Sequence, residues 1–343
     1  MNEEGGASVD AAVVGAGSWG TALALLLQRN GHRVRLWSHD EATASLIASQ
    51  GENQRYLPGV SVPREIQVTS QMEEAVSGAG LVVSVSPSQH VGTVMADAAP
   101  FLSPDTLVVS ASKGIETRSL RRMDEVLESV LPGPVHRRMV VLSGPSFALE
   151  VARSLPTAVV AASRSRDARL RVQSILSSRV FRVYTNPDLI GVELGGSVKN
   201  VIALAAGVAT GLELGRNTQA ALITRGLAEI TRLGAALGAD PVTFSGLAGI
   251  GDLVLTCTGD LSRNRTVGVR LGQGESLDRI LSDMTAVAEG VHTTQAVHAL
   301  ARRHEVEMPI THQVHRMLHE GADPLESVQE LMMRDPKPET WAQ

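Results

Sequence analysis

A glycine-rich turn set between a strand and a helix constrains this chain most. Residues 9–14 form a short apolar run, and Gly15-Ala16-Gly17-Ser18-Trp19-Gly20 follows at once. Residues 21–29 carry a helical apolar pattern that Asn30-Gly31 stops, and residues 33–37 read as the next strand. A bare G-x-G-x-x-G is a weak signal. One that leaves a strand, opens a helix and feeds a second strand within about 30 residues opens a dinucleotide-binding βαβ unit. Gly15 then permits the tight turn, Gly17 lets the backbone approach a pyrophosphate, and Gly20 lets the helix pack close to the sheet. The helix start adds free N–H groups and a positive dipole end.

The alternation continues. Residues 66–69, 81–85, 106–110, 139–142, 157–162 and 180–184 read as strands, interleaved with helices over 71–76, 89–99, 118–130 and 166–176. This predicts a Rossmann-like doubly wound sheet over residues 1–188, parallel in its main part. Ligands of such sheets bind beyond the carboxyl ends of the strands. The acidic residue that would hold an NAD ribose is expected about 20 residues past the glycine turn. There the chain reads Ser38-His39-Asp40, and Asp40 suits the N-cap of the helix that follows. With Ser38 or His39 left at the strand edge, a 2′-phosphate is tolerated, which favours NADP over NAD. Three more strand ends carry chemistry: Ser86-Pro87-Ser88, Lys113, and Gly144-Pro145-Ser146. Lys113 is a cation for a phosphate or substrate oxygen, or else a solvated loop residue. Ser146 caps a helix or meets a ligand, and capping is the commoner fate.

Residues 189–343 read as all helical. Residues 191–215 are apolar nearly all round, as a core helix is, yet they include Lys199. Gly196, Ala203, Ala206 and Thr210 share its face. An ammonium there must be paired or lose its proton. A second helix is expected over 218–236 and a third over 243–256, whose one charge, Asp252, is the natural partner of Lys199. Ser262 is placed to cap a helix that starts with Arg263 and Asn264, an anion site or a solvated basic turn. Helices are expected over 277–286, 293–304 and in stretches from Pro309 to about 333, with a turn at 288–291 and a loose tail from 334. Glu289 in that turn reaches a ribose hydroxyl or is exposed.

Composition narrows the function. The net charge of -5 argues against nucleic acid and acidic membranes as partners, which need a basic surface. One cysteine, Cys257, allows no disulfide framework and no thiolate metal site. No pair among the 10 histidines has zinc-site spacing, so no metal is expected. The polar start MNEEGGASVD does not read as a signal peptide, and no apolar run is long enough for membrane insertion. A cytoplasmic protein is expected.

Longer motifs carry a family resemblance. They are GAGSWGTALA at 15–24, SKGIE at 112–116, SGPSFALEVA at 143–152, FRVYTNPDLIGVELGGSVKNVIALAAG at 181–207, NTQAALITRGLAEITRLGAALGADP at 217–241, GLAGIGDLVLTCTGDLSRNR at 246–265 and VAEGVHTT at 287–294. In this order, over nearly the whole chain, they resemble the bacterial type of NAD(P)-dependent glycerol-3-phosphate dehydrogenase. Trp19 stands where that family often has tyrosine or phenylalanine. The resemblance implies hydride transfer between nicotinamide and carbon 2 of a triose phosphate. Dihydroxyacetone phosphate and sn-glycerol 3-phosphate would interconvert, the latter feeding phospholipid synthesis. It implies Lys199 as the acid–base group, and Lys113, Gly144, Ser146, Asp252, Ser262, Arg263 and Asn264 as substrate contacts. Ser18, Trp19, His39, Lys113, Ala148, Arg263, Val287 and Glu289 would contact NADP or NAD, beside Gly15, Gly17 and Gly20. A homodimer is compatible with it. A hydroxy-acid dehydrogenase sharing the fold, or a nucleotide sensor without turnover, are the alternatives.

Overall fold

The computed structural model describes residues 8–284, 287–336 and 338–339. Part of the acidic N-terminal stretch, the end of the helix expected over 277–286 and part of the expected loose tail lie outside the described residues.

Eight strands form one sheet: β1 (Asp10–Val14), β2 (Arg33–Trp37), β3 (Gln67–Thr69), β4 (Leu81–Ser84), β5 (Leu107–Ser110), β6 (Met139–Ser143), β7 (Thr157–Ala162) and β8 (Phe181–Asn186). Their spatial order is β3-β2-β1-β4-β5-β6-β7-β8. Every neighbouring pair is parallel except β6 and β7. The reversal of direction along the order, from β1 to β3 on one side and to β4 on the other, is the switch point where such sheets bind ligands. The helices of this half are α1 (Ser18–Arg29), α2 (Glu41–Gln50), α3 (Met72–Val76), α4 (Val91–Ala98), α5 (Met123–Val130), α6 (Gly133–His136), α7 (Ala148–Ala152) and α8 (Arg166–Leu176).

Strand side chains alternate between two faces, and each face has its own core. Ala11, Val13, Leu81, Val83, Val140 and Phe181 pack against Leu23 and Leu27 of α1 and Val172 of α8. Ala12, Val14, Val82 and Val108 pack against Met95 of α4 and Leu127 of α5. The helix expected over 118–130 begins only at Met123. Leu120 has φ +59, and the Glu125 side chain accepts the Arg122 N–H at 3.0 Å, so the chain turns before it winds.

The second half is built from α9 (Leu189–Gly211), α10 (Gly215–Ala236), α11 (Asp252–Thr258), α12 (Arg263–Gly272), α13 (Leu277–Ser282), α14 (Glu289–Arg303), α15 (Pro309–His319) and α16 (Pro324–Met332). α9 is its axis. It is 94% buried over its most apolar window, so its hydropathy is that of a core helix. Leu189 and Val192 of α9 pack on Val141 and Val160 of the sheet, joining the halves. A buried charge cluster adds a second joint. Glu193 accepts a bond from the Asp124 N–H at 3.0 Å and lies 3.5 Å from Arg122. Burial holds the Glu193 carboxyl well above its ordinary range.

Close helix packing sets the far end. A Cβ on Gly207 would lie 2.2 Å from the Arg265 carbonyl oxygen, and one on Gly268 would lie 2.1 Å from that of Leu204. α9 and α12 therefore meet backbone to backbone. The single helix expected over 243–256 is in fact three pieces: a 3-10 turn (Pro241–Ser245), a π turn (Leu247–Gly251) and α11. Gly249 allows this, because a Cβ there would sit 2.0 Å from the Phe244 carbonyl oxygen. The expected turn at 288–291 is also corrected, since α14 already starts at Glu289.

Candidate active site

The carboxyl ends of the strands form a row. Following the sheet order, His39 follows β2, the glycine turn follows β1, Ser86 to Ser88 follow β4, Lys113 follows β5, and Gly144 to Ser146 follow β6. At the glycine turn, Gly15 has φ +131, a conformation that excludes most side chains. A Cβ on Gly20 would sit 1.8 Å from the Gly15 carbonyl oxygen and 2.9 Å from Val85 Cγ1, so the first turn of α1 needs a glycine where it packs against the residue after β4. A Cβ on Gly17 would meet nothing within 4 Å, which leaves its backbone face open. α1 begins without a side-chain cap and without an acidic residue in its first turn. Its N–H groups and dipole are available to an anion, and this cradle fits a dinucleotide pyrophosphate. Ser18 and Trp19 are half-buried there, and the buried Trp19 Nε1 has no hydrogen-bond partner among the described residues. Asp40 caps α2, accepting from the Ala42 and Thr43 N–H groups at 3.2 and 3.3 Å. Ser38 is buried and His39 is exposed.

At the other end of the row, two lysines from different halves share one carboxylate. Lys199 Nζ donates to Asp252 Oδ1 at 2.5 Å and to Thr256 Oγ1 at 2.8 Å. Lys113 Nζ donates to Asp252 Oδ2 at 2.8 Å and to the Gly144 carbonyl at 2.9 Å. The Asp252 side chain is 1% exposed, that of Lys199 8% and that of Lys113 18%. An ammonium has three N–H donors, so each lysine keeps one for something else. Burial lowers the Lys199 pKa from 10.5 to about 8; Asp252 opposes the shift and Lys113 adds to it. The small face of α9 makes room. A Cβ on Gly196 would fall 2.3 Å from Ser143 Oγ and 3.7 Å from Lys113 Cδ. Ser146 does not cap α7, whose N-cap is Phe147; its hydroxyl donates to the Gly144 carbonyl at 2.9 Å. It thus shares that oxygen with Lys113.

Two helix starts carry most of the remaining predicted residues. Ser262 caps α12, accepting from the Arg265 N–H at 3.2 Å. Asn264 Oδ1 accepts the Gly290 N–H at 2.9 Å, tying α12 to α14. The Arg263 side chain is exposed. Glu289 is half-buried and engages Ser88, accepting its N–H at 3.0 Å and its hydroxyl. This clamps α14 to the end of β4. Val287 is half exposed just before α14, and Ala148 is half-buried at the start of α7. Cys257 is buried, and burial pushes its thiol up to about 12, which suits packing and not nucleophilic attack.

Family profiles match both halves: residues 10–169 fit the N-terminus of NAD-dependent glycerol-3-phosphate dehydrogenase, and residues 188–329 fit its C-terminus. The chain belongs to that family. It is therefore an NAD(P)-dependent glycerol-3-phosphate dehydrogenase. It is 54% identical to the glycerol-3-phosphate dehydrogenase [NAD(P)+] of Geobacter sulfurreducens over 96% of this chain and 98% of that one. It is 52% identical to the enzyme of the same name from Koribacter versatilis, over 96% and 98%. The crystal structure of glycerol-3-phosphate dehydrogenase from Coxiella burnetii superposes with a TM-score of 0.91 at 43% identity, over 95% of this chain and 99% of that one.

Two residues that touch this dehydrogenase's candidate site were missed by the sequence reading. Thr256 is one, and the only local hint is its place one helical turn after Asp252. Ser88 is the other as a partner of Glu289; its strand end was singled out, but the 201-residue separation hides the pairing.

Proposed function

We propose that this glycerol-3-phosphate dehydrogenase reduces dihydroxyacetone phosphate to sn-glycerol 3-phosphate with Lys199 as the proton donor. The observation that carries this is the spare N–H of a buried ammonium whose pKa is about 8, set beside Lys113 on one shared aspartate. NAD(P)H supplies the hydride when bound. Hydride adds to the ketone carbon, the carbonyl oxygen takes the Lys199 proton, and Lys199 is left as a neutral amine that solvent reprotonates. Near-neutral acidity suits such a group, because it must give and regain a proton at working pH. Lys113, Arg263 and the start of α12 supply two cations and free N–H groups, which suits a phosphate dianion. Ser146 and Gly144 fix the Lys113 side of the pocket, and Ser262 and Asn264 fix the α12 side. Asp252 and Thr256 orient Lys199.

The reading is tested with Lys199→Met, which keeps an unbranched stem but removes the ammonium and its proton. It should bind NADH and substrate while losing turnover at least ~100-fold, the lower range for general acid–base catalysis. Near-normal turnover would remove Lys199 from the acid–base role. The strand-end row supports the dinucleotide lying from His39 to Lys113, with Glu289, Val287 and Ala148 at its nicotinamide end. The product would feed glycerophospholipid synthesis. The net charge of -5 supports an enzyme acting on a small molecule and not on nucleic acid, and the burial of α9 supports a cytoplasmic enzyme without membrane insertion. A homodimer would cover Met332 and Met333, which are 81% and 85% exposed, and light scattering would test it.

A further inference from the structure

The adenosine end of the strand-end row holds a cation that nothing above uses. We propose that Arg55 reads the 2′-phosphate of the cofactor and sets the preference for NADP over NAD. This rests on the glycine turn being the dinucleotide site.

Position comes first. Asn53, 1% exposed, fixes its segment onto the glycine turn. Its Nδ2 donates to the Ala16 carbonyl at 2.9 Å and to Thr21 Oγ1 at 2.8 Å. The same residue accepts the Tyr56 and Leu57 N–H groups through its backbone carbonyl at 3.3 and 2.8 Å, and Leu57 is buried in the sheet core. Arg55 is thus held between two anchored positions. Its guanidinium lies 5.1 Å from the Tyr56 ring centroid and reaches across to the turn after β2, with Nη1 3.7 Å from Asp40 Oδ2. Its side chain is 53% exposed, and its 3.7 Å ion pair with Asp40 is longer than a hydrogen bond, so the guanidinium keeps N–H donors open to solvent.

Charge comes second. A dinucleotide site selective for NAD places a carboxylate at this corner to accept the ribose 2′-hydroxyl. The carboxylate here, Asp40, already accepts from the Ala42 and Thr43 N–H groups and from Thr43 Oγ1 at 2.5 Å. Those bonds, the Thr43 hydroxyl foremost, hold its pKa below the ordinary range, so it stays an anion spent on α2. Ser38 is likewise occupied, donating to the Asp40 carbonyl at 3.1 Å. Glu41 is exposed in the first turn of α2. The groups left to face a ribose substituent are the exposed His39 and the Arg55 fork. A guanidinium matches phosphate geometry in a bidentate way, and the imidazole beside it adds a donor.

The experiment is steady-state kinetics of Arg55→Gln with dihydroxyacetone phosphate and either NADPH or NADH, alongside calorimetric binding of each nucleotide. A lost charge-assisted contact corresponds to roughly 10- to 100-fold in affinity. The ratio of kcat/KM for NADPH over NADH should therefore fall at least ~10-fold, with the loss in KM and in NADPH binding. If the two nucleotides weaken by the same factor, or neither changes, Arg55 does not read the phosphate. Failure of the underlying reading looks different, because wild-type protein would then bind neither nucleotide.

Discussion

Asp252→Asn tests the electrostatics of the pocket most sharply. The substitution keeps the shape of the side chain and removes its charge. In the wild type, burial pulls the Lys199 pKa down from 10.5 to about 8, and Lys113 pulls the same way. Asp252 is the anion that opposes both, through a 2.5 Å contact. Without it, desolvation and the neighbouring ammonium lose their main opponent. Loss of an adjacent opposite charge moves a pKa by about 1–3 units, which brings Lys199 to roughly 5–7. Ketone reduction needs the protonated amine, so its rate falls as pH rises through this pKa. The alkaline limb of kcat/KM should lie near 8 in the wild type and about 1–3 units lower in Asp252→Asn. At pH 7.5 the protonated fraction would drop from about three-quarters to roughly a quarter or less. Glycerol 3-phosphate oxidation needs the neutral amine, so its acid limb should shift the same way and rise at lower pH. The assay is NADH oxidation, and NAD+ reduction in reverse, across pH 5.5–9.5 at subsaturating substrate. A loss of rate with the limb still near 8, or moved upward, would refute the assignment of Lys199 and the electrostatic account together.

Two further outcomes probe the scaffold. Gly268→Ala puts a Cβ 2.1 Å from the Leu204 carbonyl oxygen and forces α9 and α12 apart. It should cost about 2 kcal/mol in urea unfolding, in the range for overpacked cores, and a cost under ~0.5 kcal/mol would contradict the backbone contact. His298 stacks on His315 at 4.0 Å and lies 5.4 Å from His312. Burial first, then those two rings, lower its pKa from 6.5 to about 4; Arg302 of α14 adds to this, and Glu320 opposes it. The unfolded chain therefore takes up the proton first, and stability should fall as pH drops from about 6.5 to about 4. His298→Gln should flatten that fall in melting temperature, and an unchanged slope would contradict it.

Much of the architecture was legible in the chain because local periodicity encodes it. All eight strands form where alternating or continuous apolar runs stand, and the glycine turn sits between the first strand and the first helix. Errors fall where backbone chemistry overrides pattern. The stretch from 243 to 256 has a helical apolar pattern, yet its glycines let it break into a 3-10 turn, a π turn and a short helix. The break sets Asp252 at the first position of α11. Ser146 looked like a cap by position, yet its hydroxyl turned to the Gly144 carbonyl.

Taken alone, the sequence determined that a dinucleotide-type sheet precedes a helical half, and that one lysine is carried on an apolar helix. Periodicity and glycine placement suffice for that, because they act over neighbouring residues. The sequence also offered Asp252 as the partner of Lys199, and only the tertiary structure decided that Lys113 joins them there, across a separation of 139 residues. It also decided that Glu289 clamps Ser88 and that Arg55 stands at the corner Asp40 leaves unserved. Such pairings arise from which backbones can approach, through Gly196 and the α9–α12 contact, and from how deeply burial removes water from a charge. Neither quantity exists until the chain has folded.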